Sequence, residues 1–371
     1  MDAATLEAPS FLDLLARRWR LAAPVEACAF TADGRRAAFA LADGSLALGP
    51  STDEEPVTSR RRVAVDSGRV TISARRRPVP APEIVAVDEA PLRLAPAGPG
   101  ALLAGGAGGR VVRVTGAGMH GLLATLSGAI AAVVPVAGGD VVLVGGDAVQ
   151  RCDRAGGLRA VLDAAGPLGA LAVTRDGDRL ALAGARGVIL ADLAEAEAAP
   201  VGEPLDLGDV VALAWSPDGR HLAAGLAEGA VVLLDTAART PRVVARQGNY
   251  PAPVISLGWT RDGTRLATAG AFRTIVWEVG AAPLAAVATG QARFLVTERV
   301  AVHPRRPLVA AGLANGAVVV AEIGRTDELV VKPPGDGAVT ALAWAPGGEG
   351  LAFGTDGGLA AVVELPEHLF K

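Results

Sequence analysis

Cysteine is nearly missing from this chain. The two present, Cys28 in "EACAF" and Cys152 in "QRCDR", lie far apart and in no CxxC pair. That excludes a disulfide framework and a thiolate zinc site, and it fits a reducing compartment, the cytoplasm. Histidine is sparse too: His120, His221, His303 and His368 form no HxH or HExxH, so neither a metal nor any other cofactor is expected. No serine stands in G-x-S-x-G, the nucleophile turn of many hydrolases. Lysine is confined to Lys332 and Lys371, and the net charge of −4 with a pI near 5.7 leaves no global positive field for nucleic acid or an anionic membrane. Long apolar runs are absent as well. The longest, "GAIAAVVPVAGGDVVLVGG" (128–146), is split by Pro135 and by Gly138-Gly139-Asp140 into two strand-sized pieces, short of the ~20 residues a membrane helix needs. The opening "MDAATLEAPSFLDLLARRWRL" puts acids ahead of its apolar stretch and reads against a secretory signal.

What is present is small and apolar: 51% hydrophobic residues with only 4% aromatic, 47 Gly and 25 Pro. Many short apolar segments separated by turns disfavour long helices. A repeat then emerges. "ALAWSPDGRHLAAGLAEGAVVLLD", "SLGWTRDGTRLATAGAFRTIVWEV", "ALAVTRDGDRLALAGARGVILADL" and "ALAWAPGGEGLAFGTDGGLAAVVEL" share an apolar strand, a polar turn, a Leu/Ala strand, a second turn and a Val-rich strand. Four weaker copies complete the set. Anchored at Phe30, Leu94, Val134, Val173, Trp215, Trp259, Val302 and Trp344, the copies are spaced by 64, 40, 39, 42, 44, 43 and 42 residues. Six of these match the ~40–45 residue period of a four-stranded propeller blade. The first interval carries extra residues inside 50–90, an insertion in or after the first blade, with the triplets Arg60-Arg61-Arg62 and Arg75-Arg76-Arg77 read as a solvated hairpin among nearby acids.

From roughly Val25 to Leu365 the chain resembles the WD-repeat (WD40) β-propeller family, the series from Trp215 to Ala223 and its copies carrying the likeness. The resemblance implies an all-β, single-domain fold over 1–371, with blades over about 23–365: eight blades, or seven if one weak copy is an insertion. The family's Gly-His pair is missing and its closing Trp-Asp survives only as Trp277-Glu278, so its His/Ser/Asp/Trp hydrogen-bonded tetrad is expected to be absent. After Trp344 there are residues for two more strands but none for a fourth. An open sheet edge invites aggregation, and "ARRWRLA" (16–22) is the expected outer strand that closes the ring. Ser10-Phe11-Leu12-Asp13 before it resembles a capping box opening one or two helical turns.

In the copies, a tight turn joins the second and third strands. Its second central residue is glycine in six of eight, Gly44, Gly109, Gly187, Gly229, Gly316 and Gly357 among them; blade six has Phe272-Arg273 instead. By the resemblance, these turns share one face of the disc with the loops between blades. "ARQGNYPAPV", with Arg246, Asn249 and the chain's single tyrosine Tyr250, and "GQARFLVTER", with Arg293 and Phe294, then belong near Phe272 and Arg273. Those residue types dominate binding hot spots. The expectation is a non-catalytic scaffold or adaptor, a monomeric ring binding a protein or peptide partner. Tyr250, Phe272, Arg273 and Phe294 would be its anchors, and Arg246, Asn249 and Arg293 its polar orienters. The bland alternative packs Phe272 into the neighbouring blade, makes Tyr250-Pro251 a rigid turn and leaves the arginines solvated. Two other functions stay open: a metal-dependent, lactonase-like propeller hydrolase, and an adaptor of the kind that in bacterial relatives accompanies metal-handling GTPases.

Overall fold

The computed structural model describes residues 11–365 apart from 68–69, 88, 117–119, 137–139, 147, 164–167, 185–186, 194–198, 239 and 281–283. It is an eight-bladed β-propeller. Each blade is a four-stranded antiparallel sheet, and each inner strand touches the inner strands of both neighbours the whole way round. The inner strands are Val25–Phe30, Arg93–Pro96, Ile130–Pro135, Leu168–Val173, Val210–Trp215, Leu257–Trp259, Thr297–Val302 and Val339–Trp344.

The ring closes as the sequence requires. Ala16–Arg20 pairs antiparallel with Leu359–Glu364, from Ala16 opposite Val363 to Arg20 opposite Leu359, and becomes the outer strand of blade eight. A short helix, Phe11–Leu15, precedes it and buries Leu12 and Leu15 against blades seven and eight. Ser10, the proposed cap, lies outside the described residues.

Second strands such as His221–Leu226 and Gly350–Thr355 are buried along nearly their whole length. Both faces of a blade meet neighbours, so these strands are continuous Leu, Ala and Gly rather than alternating apolar and polar. Four tryptophans staple the seams. Trp215, Trp259 and Trp344 donate from Nε1 to the inner-strand carbonyls of Ala172, Ala214 and Ala301 in the preceding blade, at 3.0–3.1 Å. Trp19 on the closing strand reaches Phe39 and donates to the Pro80 carbonyl of blade one at 2.8 Å. Arg179, His221 and His303 lie against the rings of Trp215, Trp259 and Trp344. The scattered histidines thus have a packing role: His221 is half-buried on a tryptophan rather than a free surface residue.

The first turn of a blade is fixed by a hydroxyl and a carboxylate. Thr31, Thr174, Ser216 and Thr260 each accept from the backbone N–H five residues on; the hydroxyls of Thr31, Ser216 and Thr260 also donate to Asp33, Asp218 and Asp262 at 2.6 Å. His303 replaces this device in blade seven. Its Nδ1 accepts from the N–H groups of Arg305 and Arg306, so Nε2 carries the proton and donates to Gly348 in blade eight at 3.0 Å.

The insertion lies within blade one, between Ser45–Pro50 and the outer strand Glu83–Ala86. It is a strap as much as a hairpin. Arg75 donates to the Ala16 carbonyl at 2.7 Å and to that of Leu15 at 3.2 Å, and it pairs with Asp53. Arg60 is buried, bonded to the carbonyls of Glu55 and Ser73. The reading of both triplets as solvated is therefore corrected: Arg61, Arg62, Arg76 and Arg77 are exposed, while buried Arg60 ties the insertion to itself and Arg75 holds the closing segment. An acid count along the sequence does not reveal that the carbonyls of a distant helix end await a cation.

Candidate partner-binding surface

Six of the eight second turns end on a glycine with positive φ, namely Gly44, Gly109, Gly187, Gly229, Gly316 and Gly358; in blade three the positive-φ Gly146 follows the second strand directly. Most are three-residue turns in which that glycine donates back to the last residue of the second strand, as Gly229 does to Leu226 at 3.2 Å. In blade eight the glycine concerned is Gly358, one residue beyond the Gly357 expected from the sequence.

Blade six departs from this, though without the strain that a tight turn at Phe272-Arg273 would store. Its second strand stops early, at Thr268, paired with Ile275, so the connection is a six-residue loop, 269–274. Positive φ falls on Gly270, at 89°, and Arg273 is not left-handed. The loop is held by its neighbours instead of by itself. Gly270 donates to the Thr297 carbonyl, Thr297 to Ala271, Arg293 to Phe272 and Ala252 to Gly270, at 2.8–3.2 Å. The widened turn and the two flanking inter-blade loops are one hydrogen-bonded unit.

Within that unit the proposed residues divide. Phe272 is 45% exposed and Phe294 is 101% exposed. Arg273 is half-exposed, and among the described residues it makes no ion pair. Asn249 is exposed and holds φ at 69°, a conformation asparagine tolerates better than most side chains. Arg293 is committed: it forks onto Glu328, its Nη1 2.9 Å from Oε1, and Glu328 also accepts from the Gln291 backbone at 2.8 Å. Arg246 turns the other way, to Glu228 at the second turn of blade five and to the Leu207 carbonyl in the loop entering that blade.

Tyr250 does not face water. It is 9% exposed and packs with Val254, Leu266 and Ala271. Its hydroxyl stands 2.7 Å from the Thr268 hydroxyl and accepts from Trp277 Nε1 at 2.8 Å. Burial pushes its pKa up, opposed by those two hydrogen bonds. The inter-blade loop, second strand and third strand are thus tied together in blade six alone among the described blades by a tyrosine-centred network. Neither Thr268 in that network nor Glu328 beneath Arg293 carried a motif by which the sequence could have marked it.

On the axis, a cavity of about 490 Å³ is bordered by inner-strand Ala, Val and Leu with Arg93 and Ser256. Among the described residues no three His, Cys, Asp or Glu side chains cluster as metal ligands would.

Residues 206–235 match the family model "WD domain, G-beta repeat", the stretch that forms the first three strands of blade five. The chain is an eight-bladed β-propeller, one blade of which matches the WD40 repeat. Similar solved structures share this architecture. A chain in the crystal structure of the mitotic checkpoint complex is 18% identical with a TM-score of 0.58, over 80% of this chain and 99% of that one. The β-propeller domain of Myceliophteria thermophila Cps50 (Swd1) is 14% identical with a TM-score of 0.54, over 95% of this chain and 100% of that one. At such identities the likeness shows the fold. No curated protein matches the sequence. Among the described residues of this propeller, no helix is long and apolar enough to cross a membrane.

Proposed function

We propose that this propeller is a non-catalytic scaffold that binds a protein or peptide partner at the face where the blade-six turn meets the loop entering blade seven. One observation carries the reading: Phe272 and Phe294 expose their rings on two loops joined by the Arg293 N–H to Phe272 carbonyl bond, beside Arg273, which makes no ion pair among the described residues. Exposed aromatics on a braced backbone lose little entropy when they are covered, and they are what interface centres are made of. Arg273 and Asn249 then orient the partner. Tyr250 and Arg293 act beneath them as positioning residues, and Arg246 extends the surface toward blade five. That one similar ring was solved within a complex supports an assembly role for this one.

The test is affinity capture from the source-cell lysate with wild type and with Phe272→Ser/Phe294→Ser. The double variant is expected to lose the partner and keep its melting temperature. A partner held equally by both proteins would refute the surface.

A further inference from the structure

The axial cavity of about 490 Å³ has one charged neighbour. It lies among the inner strands of blades three to six, with Val134, Leu171 and Leu213 on its walls, and Arg93 borders it from blade two. No residue that borders it is acidic. Each inner strand is hydrogen-bonded on one side only, so edge amides face the axis as well. Those amides offer donors and acceptors alike and do not select the sign of a guest. The polar side chains do. Ser256 is already spent, its hydroxyl accepting from the Val300 N–H at 3.0 Å and donating to the Val300 carbonyl at 3.3 Å. Arg93 gives Nε to the Ala131 carbonyl of blade three at 3.2 Å and makes no ion pair among the described residues. That bond lays the guanidinium across the seam, against a residue that itself borders the cavity, and leaves both Nη groups for a guest.

The place of Arg93 in its strand sets the direction of entry. It lies opposite Gly105, the last residue of the second strand of blade two, so it stands at the mouth on the face that carries the second turns. Ile255, 37% exposed, borders the cavity just ahead of Leu257, whose partner Thr268 also ends a second strand. A cation and an unburied aliphatic side chain therefore share the mouth. Val134, Leu171 and Leu213 pair with mid-strand residues and stand deeper along the axis. A cavity of a few hundred Å³ with apolar walls and one placed polar group is what small ligands occupy. A guanidinium pairs with a carboxylate through two parallel hydrogen bonds. One guanidinium balances one negative charge, which suits a carboxylate better than a doubly charged phosphate ester.

We propose that the axial cavity binds an organic monocarboxylate with an aliphatic chain, its head on the Arg93 Nη groups at the mouth and its chain along Leu213 and Leu171. The site is independent of the partner-binding surface, and it stands whether or not Phe272 and Phe294 hold a partner.

The test is isothermal titration calorimetry of the full chain with octanoate, octanol and octylammonium at equal ionic strength, with N-acetyl-dileucine as the peptide-derived carboxylate. Octanoate is expected to bind at one site per chain, octanol about tenfold more weakly and octylammonium not at all. Arg93→Gln alters an exposed side chain; it should keep the melting temperature and weaken octanoate about tenfold or more. Ile255→Asp should weaken it too, by like-charge repulsion at the mouth, and Arg62→Gln in the insertion should leave it unchanged. N-acetyl-dileucine binding as tightly as octanoate would assign the site to the carboxyl end of a peptide; no binding of it would assign the site to a free aliphatic acid. No saturable heat with octanoate, equal affinity for octanoate and octanol, or an unchanged octanoate affinity in Arg93→Gln would overturn the proposal. Should Arg93→Gln fail to fold, octanoate against octylammonium on wild type decides: equal binding overturns it.

Discussion

A buried hydroxyl with two partners costs more to lose than a surface ring. Tyr250→Phe leaves Trp277 Nε1 without its acceptor inside the blade-six core, while Thr268 keeps only its bond to the Ile275 carbonyl, and is expected to destabilise by about 1–3 kcal/mol in urea unfolding. Phe272→Ser should stay within about 0.5 kcal/mol of wild type. Titration tests His303 in a different way. Burial, helped by Arg305 and Arg306 and opposed by the Gly348 bond, holds its pKa below the ordinary histidine value. As pH falls, the unfolded chain takes up that proton before the folded one does. The stability tied to His303 is therefore complete above the ordinary histidine pKa and is lost as pH drops through it toward the folded value. His303→Asn should flatten the decline in melting temperature between about pH 7 and 5. At this scale the sequence was only half legible. Its lone tyrosine and its phenylalanines were conspicuous by rarity, but which of them meets water depends on the blade beside it. Tyr250 went inward because Trp277 and Thr268 offered its hydroxyl partners there.

Elements carry the next level of specification, since blade spacing depends on how closely one sheet may approach the next. A Cβ on Gly354 would collide with the Val25 side chain across the seam between blades eight and one, and its φ is not positive, so the constraint is steric alone. Gly354→Ala is expected to cost roughly 1–3 kcal/mol, read as a lowered urea midpoint. In six blades the register slips by one residue near the start of the inner strand, at Glu26, Ala131, Gly169, Val211, Glu298 and Thr340. Such bulges turn the strand locally. They were invisible in the sequence because no residue type marks them, whereas the blade period was plain because Asp-Gly turns and Leu/Ala strands recur at fixed spacing. The blade-six loop falls between: the absent glycine was visible, but the early end of the second strand at Thr268 was not, and that end is what removes the need for a left-handed residue at Arg273.

For the whole molecule, closure is the decisive contact, and it was readable from arithmetic: a last blade lacking one strand and a first segment able to supply it. Trp19, buried against Phe39 and bonded to Pro80, joins that segment to blade one. Trp19→Ala should therefore cost about 3–5 kcal/mol. Limited proteolysis should then cut first between the helix and blade one; initial cleavage elsewhere would place the weak point at another seam. Because Ala16–Arg20 completes a sheet whose other strands lie within residues 339–364, the seam cannot form until those later strands have left the ribosome. Until then Arg17 and Trp19 have no sheet to join, and a newborn chain must shelter that stretch or expose it to chaperones.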